Sequence, residues 1–203
     1  MTIICSINLD PIAAQIKGCT LCKDQLPFAP RPVLQISSTA KLLIIGQAPG
    51  ARVQATGIPW NDPSGNRLRE WLNIPPDDFY NANQVAIMPM GFCYPGKGKS
   101  GDLPPRKECA PQWHKSLLEK LPNIQLTLLI GQYAQRYYLP EAKGLSLTQT
   151  VAQWQTFGPH VFPLPHPSPR NQIWLKRNPW FDQQVIPALR LAMAPIDLTT
   201  ENL

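Results

Sequence analysis

Four short apolar runs set the rhythm of this chain. Leu42-Leu43-Ile44-Ile45 is unbroken, the pattern of a strand buried on both faces, as in a parallel sheet. Residues 84–88 and 126–130 repeat it, and 160–162, bracketed by Pro159 and Pro163, is a shorter fourth. The runs stop at turn formers: Gly46, Pro89 with Gly91, Gly131 and Pro163. Between them the apolar period lengthens to that of helices. Asp10-Pro11 reads as a cap and first turn, with Gly18 as the stop. Leu68, Trp71 and Leu72 fall at i, i+3, i+4 behind Ser64 as N-cap. Residues 108–121 put Trp113, Leu117 and Leu121 on one face, 132–139 form a short helix, and Asn178-Pro179 opens a last one, kinked at Pro187. Strands alternating with helices predict an α/β fold: a three-layer α/β/α arrangement with a short, mostly parallel central sheet. No repeat and no second core is visible, so residues 1–195 read as a single domain and 196–203 as a polar tail.

Composition agrees with one globular domain of 203 residues, 43% apolar and 16% charged. The 24 prolines imply many loops of fixed shape, because proline is excluded from helix interiors and central strands. No apolar run approaches the roughly 18 residues of a membrane span. The start, MTIICSINLD, lacks the basic region of a secretory signal, so the expectation is a cytoplasmic protein that meets no membrane and works as a monomer. The net charge of +6 is local. Residues 94–115 hold Lys97, Lys99, Arg106, Lys107 and Lys115 against Asp102 and Glu108, and 142–181 hold Lys143, Arg170, Lys176 and Arg177 with no acid. Two basic loops flanking a cleft suit a polyanion.

The first apolar run leads into Gly46-Gln47-Ala48-Pro49-Gly50 and then Gly57-Ile58-Pro59-Trp60-Asn61-Asp62-Pro63-Ser64-Gly65. Gly46 and Gly50 permit a tight turn and close approach to a ligand. A rigid loop at the C-terminal end of a buried parallel strand is where open α/β sheets bind their ligands. Far downstream stands His166-Pro167-Ser168-Pro169-Arg170-Asn171. These stretches resemble the two motifs of the uracil-DNA glycosylase superfamily. The first is closest to the branches with a GEAPG or GLAPA loop, and the second is similar to the His-Pro-Ser loop, with the Pro-Arg-Asn extension of the single-strand-selective branch.

Five cysteines are present: Cys5, Cys19, Cys22, Cys93 and Cys109. Cys19 and Cys22 form a C-x2-C pair, which brings two thiolates to one metal from a single turn. With Cys93 and Cys109 they make four thiolates, enough for a tetrahedral metal or a cubane cluster. The layout resembles the ligand set of the thermophile-type (family 4) glycosylases, which implies a 4Fe-4S cluster, with zinc as the second choice. A structural role is expected, stapling the N-terminal helix to the basic 93–109 segment. Cys5 has no evident partner.

The resemblance implies cleavage of an N-glycosidic bond on a nucleotide taken out of the stack. Trp60 stands where the family's stacking Phe follows a Pro, and stacking is worth roughly 1–3 kcal/mol per base. His166 would stabilise negative charge developing on the leaving base. Gln47 would hold water and Asp62, in an Asp-x-Ser-Gly arrangement shared with the GLAPA type (family 5), would be the base. Ala48, Gly50 and Asn61 would line the base pocket. Lys97, Lys99, Ser168 and Arg170 would take DNA phosphates. No lysine lies in either motif to form a Schiff base, so the glycosylase would be monofunctional.

Three departures bear on this. Ala48 replaces the acid of GQDPY loops and the Asn of GINPG loops, Gln47 replaces the Glu of family 4, and Pro89 replaces the Asn with which family 4 reads the base edge. Pro89 implies that neighbouring backbone reads the base, that the base is not uracil, or that excision is lost. Three readings follow: a glycosylase acting on uracil or another deaminated base in DNA, a catalytically silent DNA-binding member, and a metalloprotein acting on a free nucleobase or nucleotide.

Overall fold

The computed structural model describes residues 10–196 and Leu198. Cys5 and most of the polar tail lie outside the described residues. In chain order the helices are α1 (Asp10–Lys17), α2 (Ala51–Thr56), α3 (Pro63–Leu72), α4 (Pro76–Phe79), α5 (Cys109–Leu118), α6 (Gln132–Tyr138), α7 (Leu147–Ala152), α8 (Gln172–Arg177) and α9 (Ile186–Met193). The strands are β1 (Leu42–Ile45), β2 (Val85–Ile87), β3 (Lys97–Gly98), β4 (Gly101–Asp102), β5 (Leu126–Ile130) and β6 (Val161–Leu164).

β2, β1, β5 and β6 lie side by side in that order, and every pairing is parallel. All four residues of β1 are buried, and they serve two cores. Leu42 and Ile44 face a layer with Leu68, Trp71, Leu72, Phe181 and Leu189. Leu43 and Ile45 face the opposite layer with Ile16, Leu117, Leu121 and Ala134. This is the expected α/β/α arrangement. Each fully buried Leu or Ile contributes roughly 1.5–3 kcal/mol, which exceeds the ~1 kcal/mol span of strand propensities. Two-sided burial therefore fixes β1 at the centre of the sheet.

Several boundaries differ from the pattern for identifiable reasons. β6 runs through Pro163, which an edge strand bonded on one side to β5 tolerates. α3 is capped by Asp62, whose carboxylate accepts the Gly65 N–H at 2.8 Å, with Pro63 at the first helical position. Ser64 lies inside the helix. Before α9, Phe181–Val185 forms a π-helical turn, which accommodates Pro187, a residue with no N–H to give. Ile196 and Leu198, placed by the pattern in a polar tail, are buried in the core instead. α7 carries a complete capping box between Ser146 and Gln149.

The 93–105 segment folds back as the small antiparallel hairpin β3–β4, with Lys97 opposite Asp102. A second feature absent from the pattern is His114, on α5 and 1% exposed. Its Nε2 lies 3.1 Å from the Pro89 carbonyl and its Nδ1 2.6 Å from the Tyr138 hydroxyl. A carbonyl only accepts, so Nε2 carries the proton and Nδ1 accepts from Tyr138. The ring stacks between Phe92 and Tyr138.

Burial pulls the His114 imidazole from 6.5 down to about 4, although the Pro89 carbonyl opposes the shift. Between those pH values the unfolded chain holds a proton that the folded chain does not. Stability is therefore complete above about pH 6.5 and falls as pH drops toward 4, by up to ~3 kcal/mol from this residue. Urea melts at pH 7.5 and 4.5 measure the loss, and His114→Gln, which keeps a donor for Pro89, flattens the acid limb.

Candidate active site

The cleft opens where the chain changes direction in the sheet. From β1 the path goes to β2 on one side and later to β5 on the other. The crevice at the C-terminal end of β1 is thus the switch point of the sheet, the favoured ligand position. It encloses about 430 Å³ open to solvent. Gln47, Ala48, Pro49, Gly50, Trp60, Asp62, Pro89 and His166 line it, with Val33, Val53 and Ile87 at its base. The two sequence motifs, more than a hundred residues apart, therefore meet in one place. Asn61 is not among the lining residues.

Trp60 is held by its backbone as much as by its ring. It has φ 55°, a left-handed conformation that is uncommon for a bulky residue. A Cβ on Gly65 would lie 1.7 Å from the Trp60 carbonyl oxygen, and one on Gly46 would lie 2.9 Å from the indole. The two glycines are the space into which Trp60 fits. The indole also packs against the core, and its carbonyl accepts the Tyr80 hydroxyl at 3.4 Å. The His166 ring sits 5.6 Å from the indole, tilted by 34°.

His166 is presented by the turn that follows β6. Its Nδ1 accepts the Ser168 N–H at 3.2 Å, and its carbonyl accepts the Asn171 side-chain amide at 2.7 Å. Burial lowers the imidazole pKa, opposed by the charges of Asp62 and Asp102. A neutral ring whose Nδ1 is an acceptor carries its proton on Nε2, so His166 is a hydrogen-bond donor through that atom. Asp62 spends one carboxylate oxygen, Oδ1, on the α3 cap. No other hydrogen bond to that carboxylate occurs among the described residues. Gln47 donates through Nε2 to the Leu103 carbonyl at 3.4 Å.

The first-motif loop also carries unbonded main-chain donors. The N–H groups of Gln47, Ala48 and Gly50 have no hydrogen-bond partner among the described residues. The segment around Pro89 is the opposite case. Met88, Met90 and Gly91 donate to Ile44, Gly46 and Gln47, and the Pro89 carbonyl is taken by His114. The N–H donors next to Pro89, and its own carbonyl, are thus committed to the fold. His114 and the free amides of 47–50 were missed in the sequence, where neither has a local signature.

Lys97 and Lys99 are exposed on the hairpin. Ser168 Oγ accepts the Arg170 N–H at 3.2 Å, while the Arg170 guanidinium donates to the Ser100 carbonyl at 3.0 Å. The downstream motif is therefore tied to the hairpin. Arg67 of α3, which the sequence did not single out, braces the same motif through the Ser168 carbonyl and Gln172.

A second cavity is lined by Cys19, Cys22, Cys93 and Cys109, with Leu26, Gly91, Phe92, Arg106 and Trp113 around them. All four thiols are free and partly buried. Cys109 Sγ accepts the Phe92 N–H at 3.4 Å, and the Arg31 N–H reaches Cys93. Burial pushes Cys93 up to about 11 and Cys109 up to about 12, reinforced by the neighbouring cysteines. No three His, Cys, Asp or Glu side chains among the described residues converge as they would around one metal ion. Four sulfurs on a single zinc would lie about 3.8 Å apart, given a Zn–S bond of ~2.3 Å.

A family model, that of the uracil DNA glycosylase superfamily, matches residues 34–190. The chain belongs to this superfamily, whose members are usually DNA glycosylases, hydrolases of N-glycosyl bonds acting on DNA. The matched span contains every cleft residue but Val33, together with Cys93 and Cys109, and begins after Cys19 and Cys22. Among the described residues no helix is long and apolar enough to cross a membrane.

The glycines beneath Trp60 make a sharp expectation. Gly65→Ala sets a methyl against a backbone oxygen that cannot rotate away, and we expect a loss of about 3 kcal/mol or more. Gly46→Ala meets the edge of a ring instead; it should fold and show altered tryptophan emission. Thermal melts and fluorescence of the two variants check the pair.

Proposed function

We propose that the protein is a monofunctional DNA glycosylase that hydrolyses the N-glycosidic bond of uracil or another deaminated base. The observation that carries this reading is the neutral His166, with its Nδ1 committed to Ser168, in the same cleft as Trp60, Gln47 and Asp62. The extracted base lies against the Trp60 indole. Its edge meets the open N–H groups of Gln47, Ala48 and Gly50. As the C1′–N bond breaks, its electron pair passes to the base, and His166 Nε2–H stabilises the resulting charge on a carbonyl oxygen. Such a donor is worth about 10²–10³ in rate. The Gln47 side chain and the Asp62 carboxylate hold a water, whose oxygen bonds to C1′ while its proton passes to Asp62 Oδ2. No lysine lines the cleft among the described residues, so the pathway is hydrolytic. Lys97, Lys99, Ser168 and Arg170 hold the DNA backbone, the protein acts as a monomer in the cytoplasm, and Asn61 takes no part in reading the base.

The four cysteines suit a 4Fe-4S cluster better than zinc. They surround one cavity and receive N–H donors from Phe92 and Arg31, the kind of hydrogen bonding that tunes cluster sulfurs. A bound cluster would supply a cross-link, and these residues would thereby fix α1 and the 93–109 segment to each other. Protein purified without oxygen should show broad visible absorbance and about four irons per chain, lost in Cys109→Ser. Zinc without iron would overturn the assignment.

A second reading, a binding protein without catalysis, is favoured by Asp62 serving as a helix cap and by the absence of any carboxylate at position 48. Asp62→Asn separates the two. Asn is as good a cap as Asp, so stability should hold within ~0.5 kcal/mol while excision from uracil, hypoxanthine or xanthine oligonucleotides disappears. His166→Ala should lower excision 10²–10³-fold. Unchanged excision in Asp62→Asn would remove Asp62 from the reaction. No release of any base by the wild type, with DNA still bound, would favour the binding reading.

A further inference from the structure

We propose that Phe28 is a stacking site for an unpaired base beside the extracted nucleotide, which makes single-stranded DNA the preferred substrate. This deepens the glycosylase reading and rests on it. Phe28 is 60% exposed, unusual for a side chain with no polar atom. It does not stand alone. Its ring lies over Tyr94, centroids 6.3 Å apart and planes within 22°. Tyr94 is itself 6% exposed and is held from below by a hydrogen bond from its hydroxyl to Asp102 Oδ1 at 3.4 Å. The aromatic pair is therefore a fixed platform with one open face.

The platform is continuous with the cleft. Pro27, next to Phe28, and Leu103 both touch Gly96, each 3.4 Å from where its Cβ would stand. Leu103, 43% exposed, gives its carbonyl to Gln47 inside the cleft. An apolar strip thus runs from Gln47 through Leu103 and Pro27 to Phe28. Exposed Lys97 of β3 and Lys99 of its turn follow Gly96 in the chain, and Asp102, the acid of the hairpin, accepts the Tyr94 hydroxyl. Alternating apolar faces and cations beside a base pocket match the chemistry of an unpaired strand, whose bases offer bare faces and whose phosphates need counter-charge. Bases in a duplex already cover each other's faces and have none to give Phe28.

The test is fluorescence anisotropy with an undamaged, labelled single strand and with a hairpin duplex of the same sequence, on wild type, Phe28→Ala and Phe28→Trp. Phe28→Ala should weaken single-strand binding between about fivefold and a hundredfold and change duplex binding less than about twofold; Phe28→Trp should restore it. Unchanged single-strand affinity in Phe28→Ala, or an equal loss on both forms, overturns the proposal. The probe carries no damaged base, so catalysis does not enter. A protein that binds single strands through Phe28 but releases no base from any substrate overturns the glycosylase reading and upholds the platform. Excision that persists with no Phe28 effect on binding does the reverse.

Discussion

The contact on which most of the cleft depends is Trp60 against Gly65. The Trp60 backbone turns left-handed, its carbonyl fills the space where a Gly65 side chain would be, and α3 begins immediately afterwards. The same turn puts Asp62 at the N-cap, where the Gly65 N–H fixes one carboxylate oxygen. It also lays the indole over Gly46, at the end of the central strand, and within ring contact of His166. A left-handed non-glycine residue is a cost carried elsewhere by packing. Here the burial of the indole against the core and the α3 cap are the compensating terms, and they bring the aromatic, the acid and the histidine together.

The Pro89 wall shows how a cleft can change its reading head without changing its frame. Pro89 offers only a carbonyl, and His114 occupies it from behind. The neighbouring N–H groups are bonded to the 44–47 strand end, and the donors left open lie across the cleft at Gln47, Ala48 and Gly50. In the proposed reaction these donors meet acceptor oxygens, which a deaminated base presents in place of an amine. Deamination replaces an exocyclic amine, a donor, with a carbonyl, an acceptor.

Much of this was legible in the chain. The central strand declared itself by four apolar residues with no alternation, which only a two-sided burial explains. The glycine and proline content of the two motif loops marked the residues that now face each other. What the sequence did not carry were relations between distant residues. His114 looks like any residue of an amphipathic helix until Pro89 and Tyr138 are seen on either side of its ring. Asp62 reads as a turn residue, a cap or a base, because a carboxylate at a helix start can be any of them; the structure shows the cap. The β3–β4 hairpin was hidden because its strands are two residues each, too short for any periodicity. The Ser146–Gln149 capping box, by contrast, has a local signature, Ser-x-x-Gln, that the chain displays openly.

The hairpin ties several distant segments together by single contacts. Through Leu103 it reaches Gln47, through Ser100 it holds Arg170, through Asp102 it meets Tyr94, and through Gly96 it touches Pro27 of the connector that runs along the cysteine cavity. Each tie is a single contact, worth about 0.5–1.5 kcal/mol for a neutral hydrogen bond such as Gln47 to Leu103 and about 1.5–3 kcal/mol where Arg170 or Asp102 takes part. None would hold a thirteen-residue loop alone against its conformational entropy. The segment runs from Cys93 to the start of α5 at Cys109, and both cysteines line the same cavity. On the proposed cluster reading, a cross-link through the four thiols would hold both ends of the segment that carries the hairpin and its lysines.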